Sequence, residues 1–389
     1  MRTKKNPEAE KPPHVVRVQE IKLLPTAAQR AALLATMRAV NAAKTFVADR
    51  APRARAFAAH KVCYHEIRVQ FGLGAQLAVN AIGDAAATRR HADRAFRPLG
   101  SIAYDSRCAT MKRSNHVDAA AIADGVSLLT LDGRTTLAIA PGSWRPARVE
   151  ECRLIFRDGL FFLGVSIATP LPPVAAVTDF LGIDLGLVNI AVDSDGQTHH
   201  GTAASGAHLD NVRHRYRRRR QALQTCGSRA ARRRLRNIRR KESRFARDVN
   251  HTIAKHLVAK AKGTARGIAL EDLAGIRART TVRRSQRARM CSWSFFQLRT
   301  FVTYKAALVG VPVVLVDPRY TSQTCTGCGH IDKKNRRTRD SFCCVNCGLA
   351  GPADHLAAEN IRRAAVNRPI VAEQVGHCLV HPSAASLAL

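Results

Sequence analysis

The sequence predicts a multidomain α/β protein, and three observations support this prediction. The chain has 389 residues, enough for about two to three domains of ordinary size. Its first half contains segments with helical periodicity and separate segments with strand periodicity, while its second half alternates short apolar runs with helical segments. Its apolar content of 46% is high enough for each domain to have a hydrophobic core.

The strand-rich part of the first half predicts a small β-barrel-like domain, with a sandwich as the alternative. The run HVVRVQEIKLL near the start alternates with a period of two, and short apolar runs recur between residues 98 and 172. Asp132-Gly133 and Asp158-Gly159 each separate two such runs, which is a strong signal for a β-hairpin. We therefore assign residues 1–25 and 98–172 to this domain.

Residues 26–97 predict a helical domain inserted between these two β segments. The segment is rich in Ala, Arg and Leu with helical spacing, and it follows Pro25 directly. Interruptions at Ala51-Pro52 and at Gly72–Gly74 divide it into three or four helices, because proline and glycine break helical runs.

Residues 178–366 predict an α/β domain that begins after the proline-rich linker TPLPPVAAVT. FLGID, GIALEDL and VPVVLVDP are expected to form short buried strands, and residues 207–262 and 292–310 are expected to be helical. In the second helical segment, an apolar stripe is expected from Trp293, Phe296, Leu298 and Phe301. Residues 367–389 are interpreted as a C-terminal tail.

The charge of the chain indicates a polyanionic partner. It has 63 Lys and Arg residues against 29 Asp and Glu residues, for a net charge of +34. Such an excess opposes compactness through self-repulsion, so nucleic acid is the expected partner.

The sequence predicts neither a membrane segment nor a secretory signal. The most apolar stretch is interrupted by Pro170, Pro172 and Pro173, and the N-terminal residues have no apolar core of the kind a signal peptide needs. Six of the eleven cysteines are scattered singly, which is typical of a reducing compartment. We therefore expect a cytoplasmic protein.

A zinc ribbon is predicted at residues 320–350. Cys325 and Cys328 form one CxxC pair, and Cys344 and Cys347 form a second pair that begins 16 residues later (344 − 328). Two pairs at this spacing are typical of a four-cysteine zinc site, in which each pair occupies neighbouring corners of a tetrahedron. Cys343 would break the CxxC spacing, and His330 is a weaker alternative ligand. The basic segment DKKNRRTRD between the pairs is either a solvated loop or a phosphate contact.

Three acidic residues lie where a metal-dependent active site would place them. Asp184 and Glu271 each end an apolar run, and Asp354 begins a predicted helix. An acid on a buried strand is costly unless it is paired or binds a metal. Taken singly, Asp184 could serve a turn, Glu271 could start a loop, and Asp354 could cap its helix. Their occurrence together in so basic a protein favours a shared site.

Several motifs resemble those of one nuclease family. GIDLGLVNIAV, IALEDL and the segment around Asp354 resemble the three motifs of RuvC-like nucleases of the RNase H fold. VDPRYTSQTCTGCGH, SFCCVNCG, DHLAAENI and IKLLPTAAQRAALL resemble the TnpB (OrfB) proteins encoded in transposable elements, which are related to compact type V CRISPR effectors. The resemblance covers about residues 20–365. This chain has Leu356 where the family usually has Asn, and Ala353 where the family often has Arg.

The resemblance implies an architecture and a function. It implies that residues 178–366 form a RuvC-like nuclease domain with an inserted zinc ribbon, that the β-barrel-like domain is a wedge domain, and that residues 26–97 form its recognition insert. The expected function is that of an RNA-guided DNA endonuclease of transposon origin. Asp184, Glu271 and Asp354 would be catalytic and would bind two Mg²⁺ ions about 4 Å apart for phosphodiester hydrolysis. The zinc would be structural.

The resemblance also implies the partners. These are a guide RNA, double-stranded target DNA carrying a short adjacent motif, and single-stranded DNA, with the protein acting as a monomer or homodimer near a prokaryotic nucleoid. Residues 207–262 would bridge the lobes and contact the RNA–DNA heteroduplex, because the arginine fork suits phosphates. The arginines expected to bind nucleic acid are Arg213, Arg217, Arg218, Arg219, Arg220, Arg232, Arg233, Arg236, Arg239 and Arg240.

Other functions remain open at this stage. A compact CRISPR effector would use the same chemistry, and a cleavage-deficient relative would act as an RNA-guided DNA-binding repressor. An unguided zinc-ribbon nucleic-acid binder would carry no discrete RNA. A junction-resolving nuclease would need neither the zinc ribbon nor the N-terminal domains.

Overall fold

The chain divides into two units, which we describe separately. A computed structural model describes residues 13–88, 96–112, 125–142, 151–186, 189–201, 206–273, 295–367 and 379–380. One unit consists of residues 16–169 with 380–389, and the other of residues 1–15 with 170–379. Among the described residues, no helix is both long enough and apolar enough to cross a membrane.

An antiparallel sheet forms the β part of the first unit. Its strands are β1 (His14–Leu24), β2 (Ile102–Asp105), β3 (Ala109–Lys112), β4 (Gly125–Thr130), β5 (Gly133–Ile139), β6 (Glu151–Arg157) and β7 (Leu160–Pro170). They lie in the order β2-β6-β7-β1-β5-β4-β3, and a short strand at Leu379–Val380 also pairs with β1. Closure of this sheet into a barrel stays a prediction.

Both predicted hairpins are confirmed. β4 pairs with β5 up to Thr130 and Gly133, and β6 pairs with β7 up to Arg157 and Leu160. The second turn consists of Asp158 and Gly159, both with positive φ (56° and 77°). A two-residue turn with this geometry matches the twist of the strands it joins, and it favours Asp-Gly because glycine and aspartate tolerate positive φ.

Three helices separate β1 from β2 in the chain. They are α1 (Ala27–Arg50), α2 (Ala56–Phe71) and α3 (Ala75–Ala87). Thr26 caps α1 reciprocally with Gln29, and α2 ends at Gly72, whose φ of 64° is easily reached only without a side chain. The predicted helix breaks are therefore confirmed. A buried ion pair between Lys44 and Asp84 (2.9 Å) joins α1 to α3.

The second unit contains a five-stranded mixed sheet. Its strands are β8 (Phe180–Asp184), β9 (Ala191–Asp193), β10 (Thr198–His199), β11 (Gly267–Glu271) and β12 (Val313–Val316), in the order β10-β9-β8-β11-β12. β8, β11 and β12 are parallel, while β9 and β10 run antiparallel to their neighbours. Because parallel strands end at the same edge, Asp184 and Glu271 reach the same edge of the sheet.

Helices cover both faces of this sheet. They are α5 (Arg229–Gly263), α6 (Phe295–Ala307) and α7 (Ala353–Val366), while α4 (Gly206–Cys226) packs against α5. On one face, side chains such as Leu181 and Ile268 join a buried cluster with residues of α5 and α6. On the other face, Phe180 and Ala269 pack against Ile361 of α7. The strands are apolar on both sides, as expected for a sheet between two helical layers.

The apolar stripe predicted for α6 is partly wrong. Leu298 and Phe301 are buried, but Phe296 is 74% exposed. A helix advances about 100° per residue, so Phe296 lies on the side opposite Leu298 while Phe301 shares its face. Trp293 lies outside the described residues.

A buried ionic network joins the β9–β10 hairpin to the end of α5. Asp193 is fully buried, and its Oδ2 lies 2.9 Å from Nε2 of His199 and 2.6 Å from Nζ of Lys260. Arg266 pairs with Asp195 at 2.6 Å beside it. Burying the carboxylate is tolerated because its oxygens are satisfied, and the hydrogen bonds from His199 and Lys260 hold its pKa below the ordinary value despite burial.

Candidate functional site: an acidic cluster beside a four-cysteine site

The three acidic residues singled out from the sequence come together in the second unit. Asp184 and Glu271 end the adjacent parallel strands β8 and β11, where the register pairs Ile183 with Leu270 immediately before them. Asp354 is the second residue of α7, which packs on β8. The charges of both Glu271 and Asp354 act on Asp184. The site is thus assembled from two strand ends and one helix start.

Gly182 allows α7 to approach β8 this closely. A Cβ atom at this position would lie 2.1 Å from the Ala358 carbonyl oxygen and 2.6 Å from the Arg362 amide nitrogen. No side chain fits between such atoms, so only glycine permits the backbones of α7 and β8 to touch. This contact brings Asp354 to the sheet edge that carries Asp184.

Two side chains hold the Asp354 carboxylate. Nδ2 of Asn189 donates to its Oδ2 at 3.1 Å, and Nη2 of Arg336 donates to its Oδ1 at 2.9 Å. The residue that caps α7 is Pro352, and it makes no side-chain cap. The alternative reading of Asp354 as the helix cap is therefore wrong, because its oxygens face the cluster instead.

Glu271 is also held in place. It is 8% exposed, and the Thr321 hydroxyl donates to its Oε1 at 2.5 Å. Its neighbour Asp272 turns to a different partner, Arg299, whose Nη1 lies 2.7 Å away. Successive strand side chains point to opposite sides, so one acid of this pair joins the cluster and the other does not.

The cluster is electrostatically strained. Burial, followed by the charges of Glu271 and Asp354, raises the pKa of Asp184 to about 8, and Arg336 offsets part of this. Burial likewise raises the pKa of Glu271, while the Thr321 hydrogen bond and Arg336 act in the opposite direction. Like charges held close without water favour the protonated forms, unless a cation is added.

Thr321, Arg336 and Asn189 are the residues that the sequence analysis missed. Thr321 follows β12, the third parallel strand, so its place at the same edge gave a usable signal. Arg336 was included in the basic segment between the cysteine pairs, where nothing distinguishes it from its neighbours. Its contact with Asp354 depends on how the cysteine-bearing segment folds back onto α7.

The four predicted cysteines also come together. Among the described residues, they form the one group of at least three potential ligands whose ligand atoms all lie within 4.8 Å of one another. Sγ of Cys325 lies 3.5 Å from that of Cys347, and Sγ of Cys328 lies 3.6 Å from that of Cys344. A zinc–sulfur bond of about 2.3 Å implies a tetrahedral edge of about 3.8 Å, so these sulfurs fit one ion.

The backbone around the cysteines favours thiolates. The His330 amide, followed by the Asn346 side chain, lowers the pKa of Cys328 to about 6. The amide of Cys347 lies 3.5 Å from Sγ of Cys344 and lowers its pKa too. Metals bind the deprotonated thiol, so these hydrogen bonds prepare the site for zinc. Cys343 lies at the end of β13 (Ser341–Cys343) and is not a member of the four-sulfur group.

Buried Asn335 fixes the basic segment to the cysteine site. It lies in a short 3₁₀ turn (Lys333–Asn335), and its Nδ2 donates to the carbonyls of Gln323 and His330. Its Oδ1 accepts from the Val345 amide at 2.9 Å, next to the second cysteine pair. The following residue, Arg336, is thereby directed at Asp354.

The arginines expected to bind nucleic acid lie on α4 and α5, which pack against each other. Arg217, Arg218, Arg219, Arg232, Arg233 and Arg236 are exposed, and Arg213 is partly buried. Arg220 pairs with Glu242 at 2.7 Å. The side chains of Arg239 and Arg240 lie outside those the structure describes.

Two family models match the part of the chain that carries these residues. Residues 162–274 match the OrfB_IS605 family model, described as a probable transposase, and residues 295–361 match the model of the Cas12f1-like TNB domain. A TnpB-like protein of Methanocaldococcus jannaschii is 26% identical over 257 residues, which cover 61% of this chain and 90% of that protein. Over these residues the chain is therefore similar to OrfB and TnpB-like proteins.

Relatives named for CRISPR systems also match. The CRISPR-associated endodeoxyribonuclease Cas12f1 of Sulfoacidibacillus thermotolerans is 28% identical over 56% of this chain, and the match spans about half of that relative (53%). A cryo-EM structure of a Cas12f1–sgRNA–target DNA complex aligns over 90% of this chain and 100% of that chain, with 14% identity and a TM-score of 0.39.

The two residues that differ from the usual TnpB motif, Ala353 and Leu356, lie between the acidic cluster and the cysteine site. Ala353 is buried, and Leu356 packs with it against Cys325, Phe342 and Cys344. The apolar Leu356 side chain therefore joins α7 to the cysteine site, and Arg336 supplies a guanidinium group to Asp354 from the other side.

Proposed function

We propose that this protein is an RNA-guided DNA endonuclease of transposon origin that hydrolyses phosphodiester bonds in target DNA. The observation that carries the proposal is the convergence of Asp184, Glu271 and Asp354 at one sheet edge, in a chain with a net charge of +34. Burial and the charges of Glu271 and Asp354 raise the pKa of Asp184, and Arg336, which pairs with Asp354, offsets only part of this.

The proposed architecture follows from this site. Residues 178–366 form a RuvC-like nuclease domain of the RNase H fold, and residues 320–350 form its zinc ribbon. Residues 1–25 and 98–172 form the wedge domain, residues 26–97 the recognition domain, and residues 367–389 the tail. The mixed five-stranded sheet with helices on both faces supports the first of these assignments.

The donor set of the acidic cluster fits Mg²⁺. Magnesium prefers carboxylate oxygens, and a divalent cation would offset both the burial and the neighbouring charges that raise the pKa of Asp184. Asp184, Glu271 and Asp354 would hold two ions. When bound, the ions would supply an activated water and charge stabilisation for the leaving oxygen.

The protein's own side chains prepare the site for this chemistry. Thr321 fixes the Glu271 carboxylate, while Asn189 and Arg336 orient Asp354. Arg336 also offsets the negative charge of the cluster, which keeps more of Asp184 ionised near neutral pH. Zn²⁺ held by Cys325, Cys328, Cys344 and Cys347 would keep the Arg336 segment in place, and that role is structural.

The proposed partners are a guide RNA, double-stranded target DNA with a short adjacent motif, and single-stranded DNA. The exposed arginines of α4 and α5 support contact with phosphates, because few acids lie near to neutralise them. The protein would act in the prokaryotic cytoplasm, associated with the nucleoid, as a monomer or homodimer.

Sequencing of the RNA that copurifies with the protein tests guidance. We expect one discrete species whose end coincides with a transposon boundary, and heterogeneous cellular RNA would refute guidance. Programmed cleavage of a plasmid, dependent on Mg²⁺ and abolished by Asp184→Ala, tests the nuclease. Target binding without cleavage by the unmodified protein would instead identify a repressor.

A compact CRISPR effector is the second candidate function. The match to a Cas12f1 endodeoxyribonuclease favours it, and both candidates would use the same chemistry. The DNA flanking the gene distinguishes them, because a CRISPR array would supply many guides whereas a transposon end would supply one.

A further inference from the structure

The turn that leads from β12 to the first cysteine pair presents two large side chains to solvent. Arg319 is 78% exposed in its side chain, and Tyr320 is 56% exposed. In the described part of the chain, neither the ring nor the hydroxyl of Tyr320 has a partner. A tyrosine that supports a fold usually buries its ring and hydrogen-bonds its hydroxyl, so this exposure has no role in packing.

The backbone of Tyr320 is also unusual. Its φ of 62° lies in the left-handed region, which glycine and asparagine adopt easily and bulky residues rarely do. Glycine would satisfy this turn with less strain, yet an aromatic residue occupies it. Strained residues of this kind cluster at ligand-binding sites, where the surrounding structure holds them in place.

The turn is rigidly held on both sides of Tyr320. Before it, Oδ1 of Asp317 accepts from the Arg319 amide at 3.0 Å. At Tyr320, the carbonyl oxygen accepts from the amides of Gln323 and Thr324 and from the Thr324 hydroxyl, at 2.8 to 2.9 Å. Asn360 of α7 then donates to the Thr321 carbonyl at 2.8 Å. The exposed Tyr320 ring thus projects from a turn that these hydrogen bonds hold in place.

The turn that carries Tyr320 is joined to the acidic cluster. Thr321, the residue after Tyr320, donates to Glu271 Oε1 at 2.5 Å. Consecutive Cα atoms are about 3.8 Å apart, so the backbone of Tyr320 lies close to the Glu271 carboxylate. A strand bound at Glu271 would therefore pass near this turn.

We propose that Tyr320 is a stacking platform for a nucleobase of the DNA single strand being cleaved, and that Arg319 contacts a phosphate of the same strand. The proposal rests on the nuclease function proposed above. Aromatic side chains stack on any base, and arginine grips phosphate, so this pair suits a substrate selected by the guide rather than by its own sequence.

A photocrosslinking experiment tests whether the ring meets a base. The full-length protein with its copurified RNA, carrying Asp184→Asn to prevent cleavage, is irradiated with target DNA that contains 5-iododeoxyuridine at successive positions of one strand. We expect one position to crosslink to the peptide containing Tyr320, and mass spectrometry identifies it. Crosslinks confined to other peptides, or formed by the guide RNA alone, would overturn the proposal.

Kinetics then test whether stacking contributes to substrate binding. Tyr320→Gly removes the ring and suits the left-handed backbone, so misfolding does not confound it. We expect its KM for single-stranded DNA to rise about 5- to 100-fold, the effect of one lost base–aromatic contact, with kcat changed much less. Tyr320→Phe recovers most of the loss. Phe57→Ala, which removes another exposed aromatic ring in the first unit, leaves KM unchanged.

A substrate with an abasic nucleotide at the crosslinked position completes the test. The unmodified protein should bind it less tightly than intact DNA, whereas Tyr320→Gly should not distinguish the two. An equal penalty in both proteins would assign the ring a purely structural role. If the unmodified protein cleaves no DNA but crosslinks at Tyr320, the nuclease proposal fails and the stacking site remains.

Discussion

The cysteine site and the acidic cluster are neighbours in the fold but are built in opposite ways. The four cysteines lie between residues 325 and 347, on two tight turns of one segment. The three acids lie between residues 184 and 354, and they meet only because β8 pairs with β11 and α7 packs on β8. Short spacing specifies the first site, and tertiary packing specifies the second.

The two sites also differ in whether their surroundings favour the ionised form of the side chains. Hydrogen bonds from backbone amides lower the pKa of Cys328 and Cys344, which favours their thiolates and suits these two residues to bind a metal ion. Burial and the charges of Glu271 and Asp354 raise the pKa of Asp184, so the acidic cluster is strained without a cation. Removing one cysteine should therefore destabilise the fold at the cysteine site, whereas removing the charge of one acid should relieve repulsion in the acidic cluster. The following predictions test this contrast.

The largest expected effect is on activity. Glu271→Gln keeps the size of the side chain and its contact with Thr321 but removes a charge, so we expect cleavage to fall at least about 1,000-fold with no loss of thermal stability. Single-turnover cleavage and thermal unfolding measure the two effects. Asp272→Asn, in the adjacent residue that pairs with Arg299, should cleave normally. Equal losses in both variants would contradict the assignment.

A cysteine substitution should affect stability as well as activity. Cys344→Ser removes one of four sulfurs, so we expect loss of close to one equivalent of zinc and unfolding of the segment that carries Arg336. Metal analysis and limited proteolysis within residues 325–347 measure this. Cys343→Ser, one residue away and outside the four-sulfur group, should retain zinc. Zinc retained in both variants would refute the four-cysteine assignment.

Gly182→Ala should separate α7 from β8. The added methyl group would meet the Ala358 carbonyl at 2.1 Å, and we expect a loss of about 3 kcal/mol in the stability of the second unit. Chemical denaturation measures this change. The control is Gly83→Ala in α3, where nothing lies within 4 Å of the new atom. That variant should gain up to about 1 kcal/mol, because alanine favours helix more than glycine does.

The smallest expected effect is a dependence of stability on pH. The raised pKa values of Asp184 (to about 8) and Glu271 mean that the folded state binds more protons than the unfolded state above about pH 4. Stability is therefore greatest below the unfolded pKa values and falls as the pH rises toward 8. In EDTA we expect the melting temperature to fall by about 5 °C between pH 5 and pH 8.

Asp184→Asn should reduce this slope, and Mg²⁺ should reduce it in the unmodified protein, because each removes the cost of ionising the cluster. Cys328, whose pKa is lowered to about 6, acts in the opposite direction over this range, and the comparison with Asp184→Asn separates the two because Cys328 is unchanged in both proteins. An unchanged slope in Asp184→Asn would mean that another group titrates in this range.

Much of the fold was accessible from the sequence, because it is encoded by local rules. The Asp-Gly hairpins and the helix breaks at Ala51 and Gly72 are confirmed where backbone sterics decide them. The apolar stripe predicted for α6 was wrong at Phe296. This residue was assigned to the core because it is apolar, but its position around the helix axis places it opposite Leu298. The functional roles of the site residues stay predictions.

The sequence by itself determined the four cysteines and the three acids as candidate ligands, since spacing and strand endings mark them. Only the tertiary structure decided that Arg336, Asn189 and Thr321 hold the acids. The reason is physical. These contacts depend on how α7, β12 and the cysteine segment pack together, and no short-range pattern distinguishes Arg336 from the basic residues around it.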